Sequence, residues 1–244
     1  MEMIEIIFPA LLAGLLIALT HALLGIRVLE KGIIFIDLAI AQIAGLGLII
    51  ANMFFSEYIW LHQIIALLFA ITAALFFYYI EKISPKIQEA IIGCSFILAA
   101  SLGILFLSYH PHGGEEMIHL LSGQILFVTL AEIIWYAPIY MLVMLLWFLK
   151  PNIRNNIAFY IIFSLVITIS VQLVGIYVVF TSLILHAIIV RNKTNAVAIA
   201  WGYGVSSVIL GIIIAIIFDL PAGILIVITY FVISILLKII KILS

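Results

Sequence analysis

The chain has 244 residues, of which 68% are hydrophobic and 9% charged, and its net charge is −1. A soluble domain carries roughly 25% charged residues, so this chain cannot cover a water-facing surface and a soluble fold is excluded. Lipid is the solvent that fits, and the expected fold class is an all-α integral membrane protein, one membrane domain over residues 1–244. Cys94 is the one cysteine. It cannot make an intrachain disulfide, and its apolar surroundings read as those of a small core residue.

A spanning helix needs about 20 mostly apolar residues. In chain order such runs cover residues 4–25, 33–52, 60–80, 90–108, 131–149, 157–190, 196–218 and 221–240. The N-terminal Met1, Glu2, Met3, Ile4 and Glu5 include no basic residue, so the first run reads as a retained span rather than a cleaved leader. The run 157–190 is too long for one span and short for two. Gly175 lies near its middle, and the reading is one span, a break, and a shorter returning helix. The bundle then has eight or nine transmembrane segments, one broken near Gly175.

Basic residues cluster at Arg27/Lys31, Lys82/Lys86, Lys150/Arg154, Arg191/Lys193 and Lys238/Lys241, at every second loop. The positive-inside rule places them all in the cytoplasm, with the N-terminus outside and the C-terminus inside. The clusters agree with one another only if 157–190 crosses twice, which favours nine segments. Small residues recur every fourth position at Ala10/Gly14/Ala18/Ala22, Ser95/Ala99/Gly103 and Ser207/Gly211/Ala215. Shorter pairs stand at Ala41/Gly45 and Gly47/Ala51. Such ridges let helices approach closely in lipid and suit a transporter or channel bundle.

Ionisable residues inside spans are expensive and usually functional. His21 ends the first span, Asp37 opens the second with Gln42 beyond it, and His186 sits in the returning segment. An imidazole and a carboxylate facing a cavity suit Zn²⁺ or Mn²⁺; the alternative for each histidine is a bond to a neighbouring backbone carbonyl. His21 lies six residues before Arg27 and Asp37 six after Lys31. Both are therefore expected about 9 Å in from the loop, where two antiparallel neighbours would let them meet. Glu132 opens the fifth span and reads as interfacial. The loop 109–119 holds His110, His112, Glu115, Glu116 and His119. It reads either as a borderline-metal ligand set or as a polar turn whose acids cap a helix near Glu115; in that helix Glu115 and His119 share a face. The chain has no phosphate-binding Gly-x-x-x-x-Gly-Lys-Ser/Thr, no His-Glu-x-x-His and no Gly-x-Ser-x-Gly. Driving energy must come from a partner or an ion gradient, and no enzymatic activity of its own is expected.

Four stretches resemble the permease subunits of bacterial zinc-, manganese- and iron-type metal ABC importers. They are Gly25–Gly47 with its Asp-Leu-Ala-Ile-Ala-Gln, His119–Thr129 with Leu-Ser-Gly-Gln-Ile-Leu, Leu173–Ala187 with Val-Gly-Ile, and Phe218–Gly223 with Asp219, Pro221 and Gly223 in an Asp-x-Pro-x-Gly turn. They occur in family order across nearly the whole chain. The resemblance implies a homodimer with the pathway at its interface, cytoplasmic ABC ATPase subunits, and an extracytoplasmic metal-binding protein. It implies a bacterial inner-membrane location, a transported Zn²⁺ or Mn²⁺, no permanently bound cofactor and no nucleic-acid partner. It places ATPase coupling on the turn after the returning helix, at Leu185, His186, Ala187, Arg191, Asn192 and Lys193. One departure is chemical. The family's second helix carries Asp and His four apart; those positions here are Leu38 and Gln42, and Asp37 lies one early, off that face by about 100°. A second is His186, where the family has proline. A permease for a metal chelate such as a siderophore or corrinoid, or a secondary transporter, are the alternatives.

Overall fold

The computed structural model describes residues 2–55, 57–108 and 113–243. These form helices α1 (Glu2–Lys31), α2 (Ile36–Phe54), α3 (Ile59–Ile83), α4 (Gln88–Leu107), α5 (Gly113–Ser122), α6 (Leu130–Leu149), α7 (Ile157–Val190), α8 (Ala196–Phe218) and α9 (Ala222–Leu243), with no strand among the described residues. Seven helices are long and apolar enough to cross a bilayer. The expected all-α multi-spanning bundle is what the chain forms.

α7 is the axis of the bundle, with α1, α2, α3, α8 and α9 packed on it. Drawn straight, its 34 residues would run about 51 Å, against a hydrocarbon core of about 30 Å. It does not run straight. Gly175 has φ 80 and ψ 163, a conformation open essentially to glycine alone. The imidazole of His21 bonds Ser170 before this point and Ser182 after it. In a continuous helix those serines would be about 18 Å apart, beyond the reach of one ring. The chain therefore folds back at Gly175 into two arms, residues 157–174 (α7a) and 176–190 (α7b). With that hairpin the described residues hold nine apolar helical segments, the number that the charge pattern favours.

Contacts across the loops show the same sidedness. Arg27 Nε donates to the Arg154 carbonyl at 3.0 Å, and its guanidinium also bonds Asn155. Lys31 pairs with Glu81 at 2.6 Å while lying over the rings of Phe159 and Tyr160. Val190 and Ala200 pack on Ala22, which brings 191–195 to the same end. This end is the basic end.

The small-residue ridges do the packing expected of them. Ala10, Ala18 and Ala22 of α1 are fully buried, and a Cβ on Gly14 would overlap Val208 of α8. Ala99 and Gly103 are buried positions of α4, with Gln88, Ile92 and Leu107. Its remaining faces carry exposed Ile97 and Leu98, the lipid-facing surface. Cys94 is on that surface, so the expectation of a buried core thiol fails: α4 touches the bundle along one edge, and Cys94 is off it.

At the end away from the basic loops, three turns meet backbone to backbone. Gly123 (φ 68) closes α5, Gly175 reverses α7, and Gly223 lies in the first turn of α9. A Cβ on Gly123 would strike the Val174 carbonyl, one on Gly175 would strike Ser122 and Gly123, and one on Gly223 would strike the Ser122 carbonyl. These glycines come from three of the four stretches that carry the family resemblance.

Candidate functional site

The interior of α1, α6 and α7 holds a line of hydrogen-bonded polar groups. Ser182 Oγ donates to the Val179 carbonyl at 2.9 Å, so it accepts from His21 Nδ1–H at 2.6 Å. The other ring nitrogen, Nε2, then carries the lone pair and accepts from Ser170 Oγ–H at 3.0 Å. Ser170 in turn accepts from the Tyr140 hydroxyl at 2.7 Å. All four residues are fully buried. With the Ser182 hydroxyl hydrogen on the Val179 carbonyl, this is the arrangement that the donor and acceptor capacities of a neutral imidazole allow. Both nitrogens of His21 are spent on tying α7a to α7b.

The expected contact between His21 and Asp37 does not form. α1 and α2 are joined by a short turn, but α1 packs on α6, α7 and α8, whereas α2 packs on α3, α4 and α7. α7 stands between them. Asp37 is fully buried, and neither carboxylate oxygen has a hydrogen-bond partner. The nearest donors are the first-turn amides of Asp37 and Leu38, and the charged neighbour is Glu89 of α4. Glu89 Oε1 accepts from the Phe35 N–H at 3.1 Å, just ahead of α2, while its Oε2 is buried and unpartnered. Two carboxylates thus sit at the positive end of the α2 dipole. Leu38 is partly buried, and Gln42 is 7% exposed.

His186 is fully buried between α7b, α8 and α9. Its Nδ1 bonds the Ser182 carbonyl one turn back, the backbone-satisfied alternative considered above. Nε2 has no partner and abuts Gly204, with the rings of Tyr203 and Tyr230 edge-on at 5.5 and 5.4 Å. Ala187 is 2% exposed. His186 and Ala187 therefore cannot present a docking surface, because α7b continues to Val190 without the break that proline would bring. Leu185 is half-buried; Arg191, Asn192 and Lys193 are exposed.

At the far end, α5 forms where the sequence placed a helix, and it carries Glu115, Glu116 and His119. His110 and His112 lie outside the described residues. His119 Nδ1 bonds the Gln124 amide. Glu132 caps α6 through a reciprocal box with Thr129. Asp219 is the left-handed C-cap of α8, and its turn, with Pro221 and Gly223, walls a cavity of about 1060 Å³ that His119 also lines. A second cavity of about 440 Å³ is lined by Asn52, Gln63, His119, Gln124 and Gln172. Among the described residues no three His, Cys, Asp or Glu side chains gather as a metal-holding group. Glu89, Tyr140, Ser170, Ser182, Gln63 and Gln172 were not singled out from sequence. The serines had no signal within an apolar run, while the glutamines did, as amides inside spans.

Residues 3–155 match the model of the ABC 3 transport family. The chain belongs to that family. The manganese transport system membrane protein MntC of Halalkalibacterium halodurans is 24% identical over 238 residues, covering 88% of this chain and 80% of that protein. In fold the chain is similar to PsaBC from Streptococcus pneumoniae in complex with Fab, with a TM-score of 0.73 at 20% identity over 94% of this chain and 91% of that one. This member of the ABC 3 transport family is a multi-pass membrane protein with no phosphate-binding loop of its own.

Proposed function

We propose that the chain is the permease subunit of an ATP-driven importer for divalent metal ions, manganese first and zinc second. The family match carries this reading, and the relative named for manganese transport supports the order of the two metals. The metal is cargo, and no resident cofactor is invoked. The partners are a pair of cytoplasmic ABC ATPase subunits, an extracytoplasmic metal-binding protein and a second copy of this chain. The basic end faces the cytoplasm of a bacterial inner membrane, so nine segments leave the N-terminus outside and the C-terminus inside. Of the residues assigned to ATPase coupling, the exposed Arg191, Asn192 and Lys193 serve as the docking patch, and buried His186 and Ala187 support it from behind.

On this reading the ion leaves past the start of α2. An unpaired carboxylate buried in a membrane bundle is costly and is kept for function, and among the described residues no cationic side chain pairs with Asp37. His21 is left out of the pathway, since its nitrogens are both occupied. The test is uptake of Mn²⁺ and Zn²⁺ by the assembled transporter in proteoliposomes, with and without internal ATP. Uptake that needs ATP and falls about tenfold in Asp37→Asn is the expected result. ATP-independent uptake driven by a proton gradient would make the chain a secondary transporter. Uptake of a chelate in preference to the bare ion would make it a chelate permease. A well-expressed Asp37→Asn with normal uptake would leave Asp37 a helix-end residue alone.

A further inference from the structure

The chain has five glutamines, and Gln63, Gln124 and Gln172 of them line one cavity. They reach it from α3, from the turn after α5 and from α7a, joined by Asn52 of α2 and His119 of α5. The remaining wall is aliphatic. Gln63, Gln124 and His119 are exposed and Asn52 and Gln172 half-buried, so five neutral hydrogen-bonding side chains from five segments meet at one open cavity. A buried amide oxygen costs free energy unless it is bonded. Gln172 Oε1 is buried with no partner.

We propose that this cavity is an entry-side site for a divalent transition-metal ion, held by the carboxamide oxygens of Gln172, Gln63 and Asn52 and by the imidazole of His119. The proposal rests on the metal-transport reading and adds to it a place and a donor set. The cavity lies at the end of the bundle away from the basic loops, where α2 ends and α3 begins. Its volume of about 440 Å³ admits an ion with part of its water shell, at about 30 Å³ per water. Neutral oxygens replace some of that shell without cancelling the ion's charge. The ion is then bound firmly enough to enter and weakly enough to move on, the balance that conduction requires. One imidazole among the oxygens favours a borderline ion over Mg²⁺ or Ca²⁺. Gln124, bonded to His119 Nδ1, is the outer partner that sets the ring's orientation. A half-turn of its amide puts the carbonyl on Nδ1–H and leaves the Nε2 lone pair for the ion.

The onward route follows α2. Gln42, the fourth glutamine, is seven residues before Ile49 of the cavity wall, two helical turns away on the same face and about 10 Å deeper. Asp37 lies further along the same helix, toward the basic end. Neutral amides at the mouth and a carboxylate at the exit make a gradient of affinity in the direction of import.

The experiment uses the full chain in nanodiscs, with Mn²⁺ alone and Zn²⁺ alone as probes, read by equilibrium binding of radioactive metal and, in the assembled transporter, by initial uptake rates. Gln172→Leu should weaken binding and raise the half-saturating concentration for uptake about tenfold, with the maximal rate within about twofold. Gln172→Glu keeps the shape and adds a charge. It should tighten binding and slow the maximal rate, since the ion is now trapped. If Gln172→Leu does not assemble, Gln172→Glu decides the question by itself. Unchanged binding and half-saturation in Gln172→Glu would overturn the site while leaving metal transport intact. Wild-type uptake that needs no ATP would reject the transporter reading instead, with the binding measurement still deciding the site.

Discussion

Alanine at Ser170 tests whether the line Tyr140–Ser170–His21–Ser182 holds the two arms of α7 together. The substitution removes one oxygen from a fully buried position and leaves almost no cavity. It strands two partners: the Tyr140 hydroxyl loses its acceptor and His21 Nε2 loses its donor. An orphaned buried polar group costs about 1–3 kcal/mol, so Ser170→Ala should cost about 2–5 kcal/mol. Ser182→Ala strands His21 Nδ1–H. Val179, which accepted from Ser182, keeps its place in the helix ladder. The expected cost is about half as large, 1–3 kcal/mol. The sharper outcome concerns the double variant. Removing both members of a buried pair is cheaper than removing one, so Tyr140→Phe in the Ser170→Ala background should restore about 1 kcal/mol or more rather than add to the loss. Equilibrium unfolding of the purified chain in mixed micelles, followed by helical signal against denaturing detergent, gives the three differences. If Tyr140→Phe and Ser170→Ala simply add, the hydroxyls do not form the directional line described and the hairpin is held by packing alone.

Two further outcomes follow from backbone geometry. Thr129→Val removes the side-chain acceptor of the α6 capping box and should cost about 1 kcal/mol in the same unfolding assay, with Thr129→Ser regaining most of it. Gly175→Ala places a Cβ at φ 80 and into Ser122 and Gly123, so the chain should fail to accumulate in the membrane, while Gly93→Ala, whose Cβ would meet nothing within 4 Å, should express normally.

Lengths, and the gathering of the basic loops at one end, were legible in the sequence because lipid imposes helices that cross it. A run of apolar residues must be helical to satisfy its own backbone, and the basic residues at alternate loops could be reconciled only if 157–190 doubled back. Gly175 then marked the one place where it could do so. What the sequence could not supply was adjacency. His21 and Asp37 are at similar depth on consecutive helices, and a short connection suggested neighbours. The broken α7 is inserted between them instead, and it offers His21 two serines that look unremarkable in an apolar run. Burial, too, was hidden. Ala187 reads as part of a polar turn, yet α7b carries it into the core, because His186 bonds its own helix through Nδ1 and does not break it.

The three glycine motifs illustrate how a local pattern can encode a long-range fact. Gly123, Gly175 and Gly223 are scattered over 101 positions of sequence, and each alone reads as a turn. In the fold each turn is shaped by the backbone of another: the Val174 carbonyl fills the space a side chain would take at Gly123, and the Ser122 carbonyl fills it at Gly223. The motifs occur together because the close approach fails if any one gains a Cβ. That junction sits beside the segment 119–130 and the Asp219–Gly223 turn that wall the larger cavity, and Gln172, three residues before Gly175, lines the smaller one. A helix that reverses on glycine keeps its end short and its carbonyls inside the bundle. It thereby leaves at the far end of the membrane the space in which the amides of Gln63, Gln124 and Gln172 converge.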